Sequence, residues 1–355
     1  MALARRLLHV LGRWNLGPCL RRGDVLRKRA DVASLVRTLC TSPLRRQGPK
    51  FAALMCTFLL ALTAHAAQPD PPQGFGFQIL TADDSAITRR ISEDLYKRLV
   101  PIFGSFRTEL AQRRRTLYVA IGPSALREVA ARQCDCVVVS AFTSSQVYRG
   151  IAARLPPGRA AAITAVYAEP APADQLRLAA LLYRRPVRVA ALLGDETAFL
   201  KPALVLEKVT VLEAGAERDN GGGNINQLLN RIAQTDVLLA LPDAAIYNTE
   251  NFRNILLSTY RHKQGVIGFS ADMVKAGALG TTYSEVEDIN TQVAEIAAAY
   301  VAGGKLPAPR FPHYFRTIIN EGVARSLDVT VDDAARRFAR LPPAAPPLSS
   351  PVQRP

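Results

Sequence analysis

Asp236-Val237-Leu238-Leu239-Ala240-Leu241-Pro242-Asp243 decides the fold: apolar residues in unbroken succession, closed by a proline and an acid. A strand with one face in water alternates apolar and polar side chains. A run without alternation must be covered on both faces, the condition of an inner strand in a parallel sheet. Upstream, Val187-Arg188-Val189-Ala190-Ala191-Leu192-Leu193 has nearly the same character. Working outward, the spacing predicts further strands at 75–80, 116–121, 136–140, 161–167, 208–212, 265–269 and 316–319. Helical stretches lie between them. Asp83-Asp84-Ser85 caps one that runs to about Val100, and Gly122-Pro123-Ser124 opens another over 125–132. Strand–helix alternation of this kind predicts an α/β fold with parallel sheets. The body, of roughly 260 residues, is long enough to divide its core between two lobes. Pro156-Pro157-Gly158 and Pro170-Ala171-Pro172 place that division near 160–175.

The chain has 355 residues, 48% of them hydrophobic, with 45 Lys and Arg against 30 Asp and Glu, 24 Pro and 5 Cys. It is too apolar to be disordered throughout and too poor in cysteine for a disulfide scaffold. The net charge of +15 suggests nucleic acid until its position is counted. Residues 1–66 hold 12 bases and 2 acids, a net of +10, which leaves +5 for the other 289 residues. No nucleic-acid partner is expected.

That basic segment reads as a leader. Phe51-Ala52-Ala53-Leu54-Met55-Cys56-Thr57-Phe58-Leu59-Leu60-Ala61-Leu62 is an apolar core behind Arg45, Arg46 and Lys50, followed by Ala64-His65-Ala66. Basic flank, short apolar run and small-x-small site predict a secretory signal with h-region 51–62, cleaved near Ala66/Ala67, and a periplasmic product. The run is shorter than the ~20 residues that a spanning helix needs. Residues 1–44, Arg-rich and acid-poor, look like a mitochondrial presequence but fit a start codon set too far upstream. Residues 68–73 read as a linker and the Pro-rich 341–355 as a disordered tail. Beyond the leader only Cys134 and Cys136 remain. With one residue between them they would close a strained ring, and they lack the second pair of a zinc site, so they read as buried thiols opening a strand.

Residues for catalysis are scarce. Past the leader the histidines are His262 and His313, neither with a spaced metal-binding partner. Gly268-Phe269-Ser270-Ala271-Asp272 imitates a nucleophile elbow, but Asp272 replaces the second glycine. Asn220-Gly221-Gly222-Gly223-Asn224 lacks the Lys-Ser/Thr of a phosphate loop and reads as a turn whose Asn224 caps a helix over 225–234. The expectation is a protein without catalytic residues, metal or cofactor. Polar loops do follow the expected parallel strands: Thr81-Ala82-Asp83, Gly122-Pro123-Ser124, Ser140-Ala141-Phe142-Thr143, Gly194-Asp195-Glu196, Pro242-Asp243 and Phe269-Ser270. Open α/β sheets bind ligands at that end, and helix N-termini there suit anions. Two such sheets facing each other would form a clamshell.

The stretch 236–243, continued by Gly265-Val266-Ile267-Gly268-Phe269-Ser270 and Gly277-Ala278-Leu279-Gly280-Thr281-Thr282-Tyr283-Ser284, resembles the substrate-binding components of a family of ABC-type importers. Gly303-Gly304-Lys305-Leu306-Pro307, Ile318-Ile319-Asn320, Ala324-Arg325-Ser326-Leu327 and Tyr167-Ala168-Glu169-Pro170 extend the resemblance, which covers about 160–330 well and 75–160 weakly. Characterised relatives include aromatic-amino-acid binders. The resemblance implies a type I periplasmic-binding-protein fold, two Rossmann-like lobes with parallel sheets joined by three crossovers. Lobe 1 would comprise 74–160 plus 277–310, and lobe 2 161–276 plus 311–335. The expected pocket is Asp83, Ser124, Phe142 and Thr143 from lobe 1, with Tyr167, Asp243 and Ser270 from lobe 2. Asp243 would hold a cation or amine, Ser124, Thr143 and Ser270 would donate to a carboxylate, and Phe142 or Tyr167 would stack on an apolar body. Relatives often carry Asn after that aspartate; here Ala244 stands there, with Asn248 one helical turn on. The implied partners are a small-molecule ligand and the membrane permease of an ABC importer, the protein itself a monomer. The alternatives are a sensor or accessory module of the same fold, signalling occupancy to a membrane partner, and a degenerate binding protein without ligand.

Overall fold

The computed structural model describes residues 76–105, 116–214 and 225–343. The expected leader, its cleavage site, the linker, the turn at 220–224 and nearly all of the tail lie outside the described residues.

Two sheets carry the fold. The first is β1 (Phe77–Thr81), β2 (Leu117–Ile121), β3 (Val137–Thr143) and β4 (Ile163–Tyr167), in that order and parallel throughout. The helices among them are α1 (Ala86–Ser105), α2 (Gly122–Ala131), α3 (Ser145–Ala152) and α4 (Pro157–Ala160). The second sheet uses β5 (Val189–Leu193), β6 (Thr210–Glu213), β7 (Val237–Leu239), β8 (Gly265–Ile267), β9 (Gly280–Tyr283) and β10 (Arg316–Ile319) in the order β10-β9-β8-β7-β5-β6. β10 is antiparallel to β9 and every other pairing is parallel. Its helices are α5 (Pro172–Tyr183), α6 (Lys201–Leu206), α7 (Ile225–Arg231), α8 (Thr249–Arg261) and α9 (Ala271–Ala276), with α11 (Glu321–Ser326) and α12 (Asp333–Arg336), while α10 (Val286–Gly303) returns to pack on sheet 1.

Each sheet is covered on both faces, as the unalternating runs require. On sheet 1, Leu95 and Leu99 of α1 and Val293 and Ala297 of α10 pack on Val119 and Val139; the opposite face takes Leu126 and Val129 of α2 and Tyr148 of α3. On sheet 2, Leu178 and Leu182 of α5 meet Leu193, Val237 and Leu239, while Leu228, Leu229 and Ile255 cover Leu192 and Leu238 from behind. The chain passes between the sheets after β4, after β9 and before β10. This is the α/β arrangement of two parallel-sheet lobes with three crossovers.

The lobe boundaries differ from the sequence expectation. Residues 161–167, assigned to lobe 2, form β4 at the edge of sheet 1, where Ile163 pairs with Val138 and Tyr167 with Thr143. The first proline cluster opens only the short helix α4; the chain leaves at the second cluster, where Pro172 starts α5. Likewise 277–284, assigned to lobe 1, contributes β9 to sheet 2. Its polar Thr281 and Thr282 hid it, because they are buried against a side chain instead of an apolar layer. Gln175 of α5 donates to Gly268 O (2.6 Å) and Thr281 Oγ1 (2.8 Å) and accepts from Thr282 N (2.9 Å). The expected free thiols are also corrected: Cys134 and Cys136 form a disulfide, with Cys136 buried at the entry to β3.

Candidate functional site

Register brings the loops together. Thr81, Ile121 and Ala141 are level across sheet 1, and β3 runs on to Thr143 opposite Tyr167. Between Ala141 and Thr143 the register shifts by one residue, and Phe142 takes a left-handed φ of 57°. A bulge of this kind re-aims a strand's end. For a bulky side chain the left-handed region costs on the order of 1–3 kcal/mol, so the surrounding packing must hold it. Phe142 is anchored by the core beneath β1–β3, and Thr143 is buried, accepting from Ser140 Oγ at 3.2 Å.

From this bulge the N-terminus of α3 reaches lobe 2. Gln146 Nε2 donates to the Pro242 carbonyl, and the Arg149 guanidinium lies 4.3 Å from the Phe199 ring centre. Pro242 follows β7 and Phe199 follows β5, so the carboxyl ends of both sheets meet across one cleft. Glu169, on the first crossover, closes the same corner. It is buried, and its Oε1 accepts from Ser145 N at 2.9 Å, which places an acid at a helix N-terminus. Its Oε2 is buried without a hydrogen-bond partner among the described residues, as are Gln146 Oε1 and Tyr247 Oη. Burial pushes the Glu169 carboxyl above the usual glutamate range, against the pull of its Ser145 contacts. Burial likewise raises Tyr167, which packs edge-on against Tyr148 and Phe311, and raises Tyr247, which packs edge-on against Phe269.

Asp243 behaves differently. It is 3% exposed, and both its oxygens are engaged inside lobe 2. Oδ2 accepts from Gly194 N (3.1 Å) and Thr197 Oγ1 (2.8 Å), and Oδ1 from Ala245 N (3.1 Å). A Cβ on Gly194 would stand 2.5 Å from Oδ2, so only glycine lets the two loops approach. Asp243 therefore ties the loops after β5 and β7 together. Ser270 caps α9, accepting from Met273 N at 3.3 Å, and keeps its own proton to donate. Asn248 caps α8 through Asn251 N.

The structure thus gathers Phe142, Thr143 and Tyr167 at the end of β3 and β4, and brings the Pro242-Asp243 loop against α3. Asp83 and Ser124 stand apart. Asp83 is exposed and accepts from Ser85 N (3.0 Å) and Thr88 Oγ1 (2.8 Å), bonds that hold its carboxyl below the usual range; Ser124 is exposed in the first turn of α2. Sequence reading missed Gln146, Arg149, Glu169 and Tyr247. Only Glu169 left a signal, an acid between two proline clusters, and it reads there as punctuation.

A groove of 510 Å³ between β1 and α1, lined by Phe77, Ile79 and Tyr96 among others, includes none of these residues. Among the described residues no group of three or more His, Cys, Asp or Glu is placed to hold a metal ion, and no helix is long and apolar enough to cross a membrane.

No family model matches the chain, and no curated protein matches it. Among solved structures it is similar to an ABC domain in complex with L-Trp from Streptococcus pneumonia, at 14% identity over 75% of this chain and 99% of that one, with a TM-score of 0.44. A conserved domain protein from Vibrio cholerae matches at 16% identity over 75% and 99%, with a TM-score of 0.43. The ligand-free, open form of a substrate binding protein with adhesive properties from Clostridium difficile matches at 13% over 75% and 98%, with a TM-score of 0.49.

Proposed function

We propose that the chain captures a small solute between its two lobes by hinge closure, as the extracytoplasmic binding component of an ABC-type importer. The observation that carries this reading is the bridged cleft: loops from the carboxyl ends of both sheets meet through Gln146–Pro242 and Arg149–Phe199. Three chain crossings behind such a cleft form a hinge. A ligand touching both sides would favour the closed state by the free energy of contacts it makes only there.

The pocket is proposed at Phe142, Thr143 and Tyr167, widened to Gln146, Glu169 and Tyr247 and faced from lobe 2 by Ser270. Asp243 contributes by holding the loops after β5 and β7 in place; Asp83 and Ser124 form the rim. Glu169 Oε2 and Gln146 Oε1 suit a ligand that presents N–H donors. Thr143 and Ser270 hydroxyls suit a carboxylate, so an amino acid or similar molecule fits both sets. Export through the signal at 51–62, a periplasmic location, a monomeric state and a membrane permease as partner belong to the same proposal. One observation favours a second reading, a degenerate domain that no longer takes ligand: Gln146 and Arg149 already span the cleft with the chain's own side chains. A sensor of the same fold would bind its ligand in the same way and differ only in its membrane partner.

The test is thermal melting of the refolded protein against amino acids, purine nucleosides, small carboxylates and sugars. A ligand at a hundred times its dissociation constant adds about 2.7 kcal/mol. In a body of this size that raises Tm by roughly 5–10 °C. A saturable shift supports a solute binder and names its class. No shift across the panel, in a protein that melts cooperatively, favours the degenerate reading.

A further inference from the structure

The Cys134–Cys136 disulfide lies in the turn between α2 and β3, at the amino end of that strand. A bond between residues two apart restrains very little unfolded chain, so it adds little by the loop-closure route that makes most disulfides stabilising. What surrounds it is more specific. Arg159 of α4 sits half-buried beneath the turn, donating from Nη1 to Cys136 O at 2.8 Å and from Nη2 to Val129 O at 3.0 Å. The same Nη2 lies 3.6 Å from Cys134 Sγ, and Nε is buried without a partner among the described residues. No carboxylate pairs with Arg159 among the described residues; burial alone acts on it, pushing its pKa down. The two carbonyls offset part of the desolvation cost of this cation, but no opposite charge among the described residues balances it. Opening the disulfide supplies the missing anion, because a thiolate beside a guanidinium is favoured over a thiol.

We propose that Cys134–Cys136 is a thiol-exchange site, in which Arg159 stabilises the Cys134 thiolate and a dithiol is the co-reactant. A thiolate of the dithiol attacks Cys134 Sγ, the more exposed sulfur. The S–S bond breaks and its electron pair leaves on Cys136 Sγ, which takes a proton from water. The second thiolate of the dithiol then attacks its own sulfur in the mixed disulfide and expels Cys134 as a thiolate beside Arg159. The dithiol is oxidised by two electrons to a disulfide, and the cysteine pair is reduced by two. The site is separate from the solute cleft and does not depend on that reading.

The experiment is equilibration of the full chain in buffers of reduced and oxidised dithiothreitol, followed by alkylation and mass analysis of the tryptic peptide 133–149, which contains both cysteines. The wild type is expected to give the disulfide in air and two alkylated thiols in reducing buffer. Arg159→Gln should need about tenfold more reduced dithiothreitol for half-reduction, and Arg159→Lys should recover most of that shift. Free thiols in the air-equilibrated protein, or an unchanged midpoint in Arg159→Gln, would overturn the proposal. If Arg159→Gln does not fold, the reduced wild type decides. Cys134 should be alkylated faster than Cys136 at pH 7, below the ordinary thiol pKa of about 8.5, and the ratio of the two rates should shrink at high pH as Cys136 ionises too. Equal rates at pH 7 would overturn it.

Discussion

The cleft-facing loops of the two lobes are built in opposite ways. In lobe 2 most polar groups are satisfied where they stand, the buried Tyr247 hydroxyl excepted: Asp243 accepts three bonds from its own lobe, Gln175 binds β9 and Gly268, and Ser270 and Asn248 cap the helices that follow them. In lobe 1 the corresponding end holds a left-handed Phe142 on a bulge, a buried carboxyl with one oxygen unengaged and a glutamine that reaches into the other lobe. Satisfied networks rigidify, whereas unengaged buried groups are costly until something pairs with them. Lobe 2 is the preformed wall, and lobe 1 carries the polar capacity that a ligand would complete.

The largest expected effect breaks the preformed wall. Asp243→Ala leaves the Ala245 amide without its acceptor and removes the oxygen that Gly194 N and the Thr197 hydroxyl share, leaving those two residues only each other, and should cost about 3 kcal/mol in urea unfolding. Full stability with lost solute binding would instead make Asp243 a direct ligand contact and reverse the contrast. Gln175→Ala comes next, at about 2 kcal/mol, because it unties β9 from α5 and leaves Thr282 N without its acceptor. An unchanged urea midpoint would show that β9 is held by β8 and β10 alone.

Smaller effects sharpen the lobe 1 side. Burial raises the Glu169 pKa in the folded state, so the unfolded chain ionises first as pH rises. Unfolding then releases a proton, and stability falls as pH rises from the ordinary glutamate value through the raised one, staying lower above it. Glu169→Gln should remove that fall and melt above the wild type at neutral pH; melting curves from pH 4 upward that keep the slope would remove Glu169 as its source. The smallest effect belongs to Arg149→Ala, which deletes an exposed cation–π contact worth about 0.5–1 kcal/mol. Its expected sign in scattering is a larger radius of gyration without solute and an unchanged one with it.

The same contrast explains what the sequence disclosed. Strands such as 237–239 and 189–193 were legible because inner parallel strands must be apolar on both faces. β9 was not, since Gly280-Thr281-Thr282-Tyr283 shows no apolar run and its burial depends on Gln175, more than a hundred positions upstream. Ile163–Tyr167 was legible as a strand, but nothing local says which sheet it joins; pairing with β3 decides that. Asp243 and Ser270 could be picked out because polar residues follow strands there; Ser270 serves its own helix, whereas two of Asp243's partners, Gly194 and Thr197, come from another loop. Gln146 and Arg149 gave no signal, since their placement follows a bulge at Phe142 that leaves no mark on composition or period, and Glu169 reads as punctuation between prolines. The pairing of Cys134 with Cys136 was excluded by expecting the ring to be strained.

The central claim is that a solute draws the two lobes together. Spin labels at Arg154→Cys on lobe 1 and Glu207→Cys on lobe 2, both exposed positions, would report the distance between lobes by pulsed electron resonance. With the solute that raises Tm most, a broad distribution in the refolded, ligand-free protein should collapse to a single short distance. An identical distribution with and without that solute would contradict the account.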